Sequence, residues 1–409
     1  MLYPDSTSIR IIPILFLLVM LPVAANQLAV AQTFTTLYTF AGYPDDGANP
    51  QAGPVMNSQG NLYGTTSSGG PNCVTGCGVI FGLSSTGVET ILYSFTEGGE
   101  PIAPLILDAE GNLYGTTSIP VGSMFKMTTL GVETVLHNFT GTDGGDPRGA
   151  LLRDKKGNLY GTADEGGSDA CFMGYGCGTA FELSSDGAFS VLHIFAGSPS
   201  DGSYPFAGLV RDPHGNLYGT TSSGGSSYPY CEREGCGTVF EISSSGVETV
   251  LYNFGINIQQ TDGSSPGGAL VRDYEGNLYG TTSSGGASTA CVGGCGTVFE
   301  LTPAGVETVL YSFSGKDGSS PYSTLLKLKG KFYGTTNTGG AYGYGTVFEL
   351  TKKGKEKVLH SFTGGVDGAF PTGTLVSDKL GNLYGTTYGG GDPICPAGYG
   401  CGTVFKVTP

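Results

Sequence analysis

Ten cysteines fall in five close pairs, Cys73/Cys77, Cys171/Cys177, Cys231/Cys236, Cys291/Cys295 and Cys395/Cys401. Thiols this near one another can close a small disulfide loop or supply half of a metal tetrahedron. No histidine or third ligand accompanies any pair, and none has Cys-x-x-Cys redox spacing, so disulfides are expected. Of the four histidines, His137, His193 and His360 occupy a position held elsewhere by Tyr38, Tyr93, Tyr252 and Tyr311. A position where Tyr and His alternate reads as a packing site and not as a general base. His214 sits in a hairpin. Acids recur by position, which dilutes any asymmetric pair for glycosidic cleavage. Glu89, Glu133, Glu248 and Glu307 read as solvent-facing on outer strands. No catalytic residue and no metal ligand is assigned.

These residues sit on a repeating frame. Gly60-Asn61-Leu62-Tyr63-Gly64-Thr65-Thr66 recurs from Gly111, Gly157, Gly215, Gly276, Gly330 and Gly381, the third copy ending in Ala163 and the sixth reading Gly-Lys-Phe-Tyr-Gly-Thr-Thr. A fixed period of roughly 50 residues marks a repeat architecture. Each unit holds four short segments rich in Val, Leu, Thr, Tyr and Phe, punctuated by glycine or proline, with no helical spacing. Four antiparallel strands per unit describe a propeller blade. The last unit stops after its third strand at Thr403–Val407, while Thr35–Phe40 supplies a spare fourth strand. Head and tail therefore complete a seventh blade, which removes the sheet edges of an open array. The fold class expected is all-β, a closed seven-bladed propeller over 32–409, with a β-solenoid as the alternative.

The Gly-Asn-Leu-Tyr-Gly-Thr-Thr, Cys-Gly-Thr-Val-Phe and Gly-Val-Glu-Thr-Val-Leu-Tyr-Ser-Phe phrases resemble the bacterial GloVer tandem repeat, named for Gloeobacter and Verrucomicrobia. The resemblance implies extracytoplasmic placement, often with a C-terminal sorting anchor, and no activity. This chain ends at a repeat without such a tail. More distantly, Asp-x-x-Gly-Asn-Leu-Tyr is similar to repeats of sensor and lactonase propellers, which implies fold only.

Residues 1–31 read as a secretory signal peptide: Arg10, an apolar run from Ile11 to Ala25, and Ala29-Val30-Ala31 before the cut. No later segment is long and apolar enough to span a membrane. With 34 acidic against 19 basic residues and a net charge of −15, the chain lacks the basic face that nucleic acid or anionic lipid requires. A hydrophobic content of 39% excludes a disordered chain. The location expected is secreted, periplasmic or cell-surface, and the state a monomer.

In a meandering blade, one face carries short hairpins. The other carries the cysteine loops, the length variation and the Asp-Gly-x-x-Pro links between blades, such as Asp46 to Pro50 and Asp201 to Pro205. Binding usually resides on variable loops over a rigid scaffold. Tyr43, Tyr175, Tyr204, Tyr228, Tyr230, Tyr322, Tyr342, Tyr344, Tyr388 and Tyr399 all fall in or beside those loops. Tyrosine joins an apolar plate to a polar tip. It serves either a recognition face, with Tyr175, Tyr228, Tyr230, Tyr342, Tyr344, Tyr388 and Tyr399 foremost, or packing in glycine-rich loops. Arg153, Arg211 and Arg272, with Lys327, end inner strands and form either a basic arc in the channel or pairs with the hairpin acids Asp154, Asp212 and Asp273. The link aspartates either cap their own turns or contribute to Ca²⁺, for which one carboxylate per link is thin. No other cofactor is expected. The function expected is a non-catalytic propeller that binds an extracellular glycan, polymer or protein. The alternatives are a carbohydrate-active hydrolase or lyase with acids at the channel mouth, and a structural surface protein.

Overall fold

A computed structural model describes Met1 and residues 32–409, apart from 73–76, 97–98, 129, 169–170, 172–173, 227–230, 232–233, 256–260, 392–394 and 396–398. The expected signal peptide, Tyr228, Tyr230 and Cys73 lie outside the described residues.

Leu-Tyr-Gly-Thr-Thr forms the second strand of five blades, with Leu-Tyr-Gly-Thr-Ala in blade 3 and Phe-Tyr-Gly-Thr-Thr in blade 6, and its composition follows from its neighbours. In blade 5, Leu278–Ser284 pairs antiparallel with Thr297–Leu301, which sets Gly280 opposite Phe299. A Cβ on Gly280 would lie 2.6 Å from the Phe299 ring, so only glycine lets the ring lie flat across the sheet. The next residue, Thr281, points to the following blade and donates to the Ser323 carbonyl at 3.3 Å. Thr282 stays within the blade, sharing a hydrogen bond of 2.8 Å with Thr297.

Seven such antiparallel sheets follow in chain order. They span Val55–Ser94, Ile106–Asn138, Leu152–Ile194, Val210–Asn253, Val271–Ser312 and Leu326–Ser361 as blades 1 to 6. Blade 7 takes its first three strands from Val376–Thr408 and its outer strand from Thr33–Thr39. Thr36 pairs with Phe405 and Tyr38 with Val404, so the two ends of the propeller share one sheet.

The core is not one mass but a layer between each pair of neighbouring blades. Phe40, Cys401 and Val404 of blade 7 pack with Leu62, Phe81 and Leu83 of blade 1 in the closing layer. Equivalent layers join the other pairs; Phe195 and Leu209, for example, link blades 3 and 4. The outer-strand Phe meets the third-strand Phe of the next blade edge to face, as in Phe254 and Phe299 at 5.1 Å.

Among the described residues, four disulfides close loops between second and third strands: Cys171–Cys177, Cys231–Cys236, Cys291–Cys295 and Cys395–Cys401. Cys77 is also disulfide-bonded. No described helix is long and apolar enough to cross a membrane.

Candidate functional site

The inner strands surround a cavity of 780 Å³ that opens among the links preceding those strands. Each link ends in proline, followed by one residue that varies and then a small one. The varying residue is Gln51, Ile102, Arg148, Phe206, Gly267, Tyr322 or Thr372, and all seven line the cavity. The small residue is Ala52, Ala103, Gly149, Ala207, Gly268, Ser323 or Gly373. Blades approach closely there: a Cβ on Gly208 would lie 2.6 Å from the Ala150 carbonyl oxygen. Seven residue types at one position stand out in a chain whose repeats are otherwise nearly uniform.

The residue before the proline also departs from the repeat. Asn49, Asp146, Tyr204, Ser265, Ser320 and Phe370 all hold φ between 50° and 59°. Non-glycine residues in this left-handed region cost of order 1–3 kcal/mol each and cluster where function needs a fixed geometry.

Charge at this rim gathers on blade 3 and its link from blade 2, with Glu100 of the preceding link beside them. Arg148 contacts the Asp146 carboxylate at 2.5 and 2.7 Å and lies 4.0 Å from Asp164. Its guanidinium also lies over the Phe206 ring, 5.5 Å from the centroid. Burial, then repulsion from Asp146 and Glu165, pushes the Asp164 carboxyl up to about 7, although Arg148 opposes the shift. Burial and Asp146 raise Glu100 and Glu165 in the same way. Where blade 3 has Asp164 and Glu165, blade 1 has Ser67 and Ser68, and blade 4 has Ser222 and Ser223. The arrangement offers one fixed cation, several acceptors and one carboxyl poised to carry a proton near neutrality. Sequence reading by repeat consensus passes over these residues. The signal that exposes them is their departure from the repeat.

Across the ring, blades 6 and 7 present aromatic side chains. Tyr344 meets Phe370 at 5.6 Å, and Phe370 meets Tyr399 at 6.4 Å. Tyr342 and Tyr399 are 61% and 68% exposed, Tyr175 is exposed on blade 3, and Tyr388 is half-buried. The loop tyrosines thus form a patch over blades 6 and 7 with an outlier at blade 3, and Tyr322 joins the cavity itself.

The inner-strand arginines reach back to the preceding blade, where, against the upward push of burial, the charges of Arg153 and Arg272 help hold the hairpin acids Asp108 and Asp212 below the usual carboxylate range. Arg153, Arg211 and Arg272 lie over Tyr114, Tyr160 and Tyr218, the second-strand tyrosines of the preceding blades, at 5.6, 5.7 and 5.9 Å. The cavity lining includes Leu152 and Val210, the residues before Arg153 and Arg211. The hairpin acids also cap their turns: Asp273 accepts from the Asn277 backbone at 2.8 Å and from Tyr279 at 2.9 Å, and pairs with Lys352 at 3.1 Å.

A correction concerns the outer-strand glutamates, which do not face solvent. Tyr38 donates to Asp46 at 2.9 Å, and Asp46 accepts the backbone of Ala41 and Gly47. Glu89 of the next blade lies against this pair, and burial followed by the Asp46 charge pushes it up to about 7. Glu307 beside Asp262 and Glu356 beside Asp317 are likewise pushed up to about 7. The Tyr or His position is therefore not plain packing, since at six blades its polar tip bonds the link aspartate; the link after Tyr93 has no aspartate.

The fold and rim define a closed propeller with one asymmetric channel mouth. The chain belongs to the Gloeobacter/Verrucomicrobia repeat family, which matches residues 26–172, 121–292 and 228–409. Among curated proteins none matches the sequence. Among solved structures, a luciferin-regenerating enzyme is 14% identical, with a TM-score of 0.46 over 92% of this chain and 95% of that one. A gluconolactonase from Xanthomonas campestris is 13% identical, with a TM-score of 0.45 over 92% of this chain and 89% of that one. Neither likeness carries over an activity.

Proposed function

We propose that this chain is an exported binding propeller whose ligand, an extracellular glycan or similar polyhydroxylated polymer, sits at the loop-rich mouth of the channel. The observation that carries this reading is the ring of seven different residues around the cavity, with Arg148, Phe206 and Tyr322 among them. Fixed carboxylates and a guanidinium suit hydroxyl groups, and exposed rings suit the apolar faces of sugars. The aromatic patch of Tyr344, Phe370 and Tyr399 would extend contact along a chain. The disulfides and the expected signal peptide support an oxidising, extracytoplasmic location.

Titration of the full chain with a panel of oligosaccharides tests it. Arg148→Ala, Phe206→Ala and Tyr322→Ala should each weaken binding about tenfold, the loss of one good contact. Binding untouched by all three, or lost only with Tyr342→Ala and Tyr399→Ala, rejects the channel mouth as the site.

One feature favours a second reading, a hydrolase or lyase: Asp164 lies 4.0 Å from Arg148, and burial with the Asp146 charge pushes its carboxyl up to about 7. A positioned carboxyl of this kind acts as general acid or base. Release of reducing ends from a polysaccharide, abolished by Asp164→Asn, would establish catalysis; binding without turnover would exclude it.

A further inference from the structure

Six of the seven blade interfaces repeat one constellation of three groups. These are a Tyr or His on an outer strand, the aspartate of the following link, and the residue opening the next outer strand; the link after Tyr93 has no aspartate, and only the first and third groups are present there. Where the first group is tyrosine, the third is glutamate: Tyr38 with Glu89, Tyr93 with Glu133, Tyr252 with Glu307, Tyr311 with Glu356. Where it is histidine, the third is twice phenylalanine. His137 stacks on Phe189 and His360 on Phe34, both at 3.7 Å between centroids. The interface of blades 3 and 4 breaks this covariation, since His193 there faces Glu248.

The consequence is a set of donors found nowhere else among the described residues. His193 Nε2 lies 3.0 Å from Asp201 Oδ2, and a Glu248 oxygen completes a group whose ligand atoms all lie within 4.8 Å of one another. Glu248 Oε1 is buried and has no hydrogen-bond partner. Asp201 is held from behind by the amides of Gly202 at 2.6 Å and Ala196 at 2.8 Å, the support that fixes metal-ligating carboxylates. Two ligands about 2.1 Å from a tetrahedral zinc ion stand about 3.4 Å apart, so the 3.0 Å hydrogen bond between His193 and Asp201 has to open by only a few tenths of an ångström to admit one.

We propose that His193, Asp201 and Glu248 bind a divalent transition-metal ion of the zinc type, with water in the remaining position. The metal clamps blade 3 to blade 4 on the outer strands, away from the channel mouth. On binding, the proton shared between Nε2 and Oδ2 leaves to solvent and both atoms turn to the ion. A close approach by Glu248 supplies the third bond. Imidazole with two carboxylates suits zinc, cobalt or manganese better than calcium, which takes six to eight oxygens.

The chain itself supplies substitutions that the interface tolerates: tyrosine at the histidine position and phenylalanine at the glutamate position. The experiment titrates the full chain with Zn²⁺ and, separately, Ca²⁺, reading bound metal and melting temperature. Wild type and His137→Tyr should bind one zinc and melt higher with it. His193→Tyr and Glu248→Phe should keep a cooperative melt and lose both the bound zinc and the shift. Wild type that takes up no zinc overturns the proposal, as does zinc retained by both blade 3/4 variants or lost equally from His137→Tyr. A shift with Ca²⁺ alone overturns the choice of metal.

Discussion

Thr386 donates its hydroxyl to the carbonyl oxygen of Ala52 at 2.8 Å, joining residues 334 positions apart. The same bond recurs at interfaces formed by adjoining blades, as in Thr162 to Ala207 at 2.8 Å and Thr220 to Gly268 at 3.4 Å. The closing interface is thus built like the others. Thr386→Val should cost about 1–2 kcal/mol, because it leaves a buried carbonyl without its donor. Thr220→Val, with the longer bond, should cost less. Denaturant midpoints at unchanged slope would check both.

Gly280→Ala should destabilise by about 1–3 kcal/mol through overpacking. Its Cβ would lie 2.6 Å from a ring atom of Phe299. A melting temperature equal to wild type would show that the ring moves freely aside.

The disulfides span only four to six residues of sequence, as in Cys291–Cys295 and Cys171–Cys177. Loops this short should contribute about 2 kcal/mol each by restricting the unfolded chain. Cys171→Ser with Cys177→Ser should therefore lower the melting temperature by a few degrees and keep the far-UV spectrum of the propeller. Loss of folding would mean that the loop organises the blade.

Buried glutamates make stability depend on pH. Glu89, Glu307 and Glu356 rise from 4.5 to about 7 on folding. Between those values the folded chain holds protons that the unfolded chain has lost, so this contribution is full below 4.5 and declines as pH rises through 7. His360, lowered by burial, acts in the opposite sense. The diagnostic is thus a difference: Glu307→Gln should flatten the fall in melting temperature across that window relative to wild type. Parallel curves would count against the buried charge.

Arg148→Ala removes the one cation among Asp146, Asp164, Glu100 and Glu165. Like charges at close range then repel unscreened. The variant should lose more stability at pH 8 than at pH 5, and added salt should restore part of it. Equal losses at both pH values would assign Arg148 to packing on Phe206.

Strands, hairpins and cysteine loops are legible in the chain because each is specified by residues close in sequence. Asp273, Gly276 and Asn277 make their own turn, and Cys291 needs only a partner four positions away. The spare strand at Thr33–Thr39 is legible too, since a repeat interrupted at one end has to be completed from the other. The outer-strand glutamates are not legible in this way, because their exposure depends on the neighbouring blade. Glu89 looks solvent-facing within its strand and is half-buried once Asp46 and Tyr38 arrive beside it.

By itself the amino-acid order determined the period, the four-stranded unit and the closed ring, since periodic local pairing needs no distant information. Only tertiary structure decided which departures from the repeat meet. Glu100, Asp146, Arg148 and Asp164 come from different turns of the ring yet share one rim, and His193 meets Glu248 across a blade boundary. Charge, burial and ligand geometry arise from such convergence in space, which no single repeat contains.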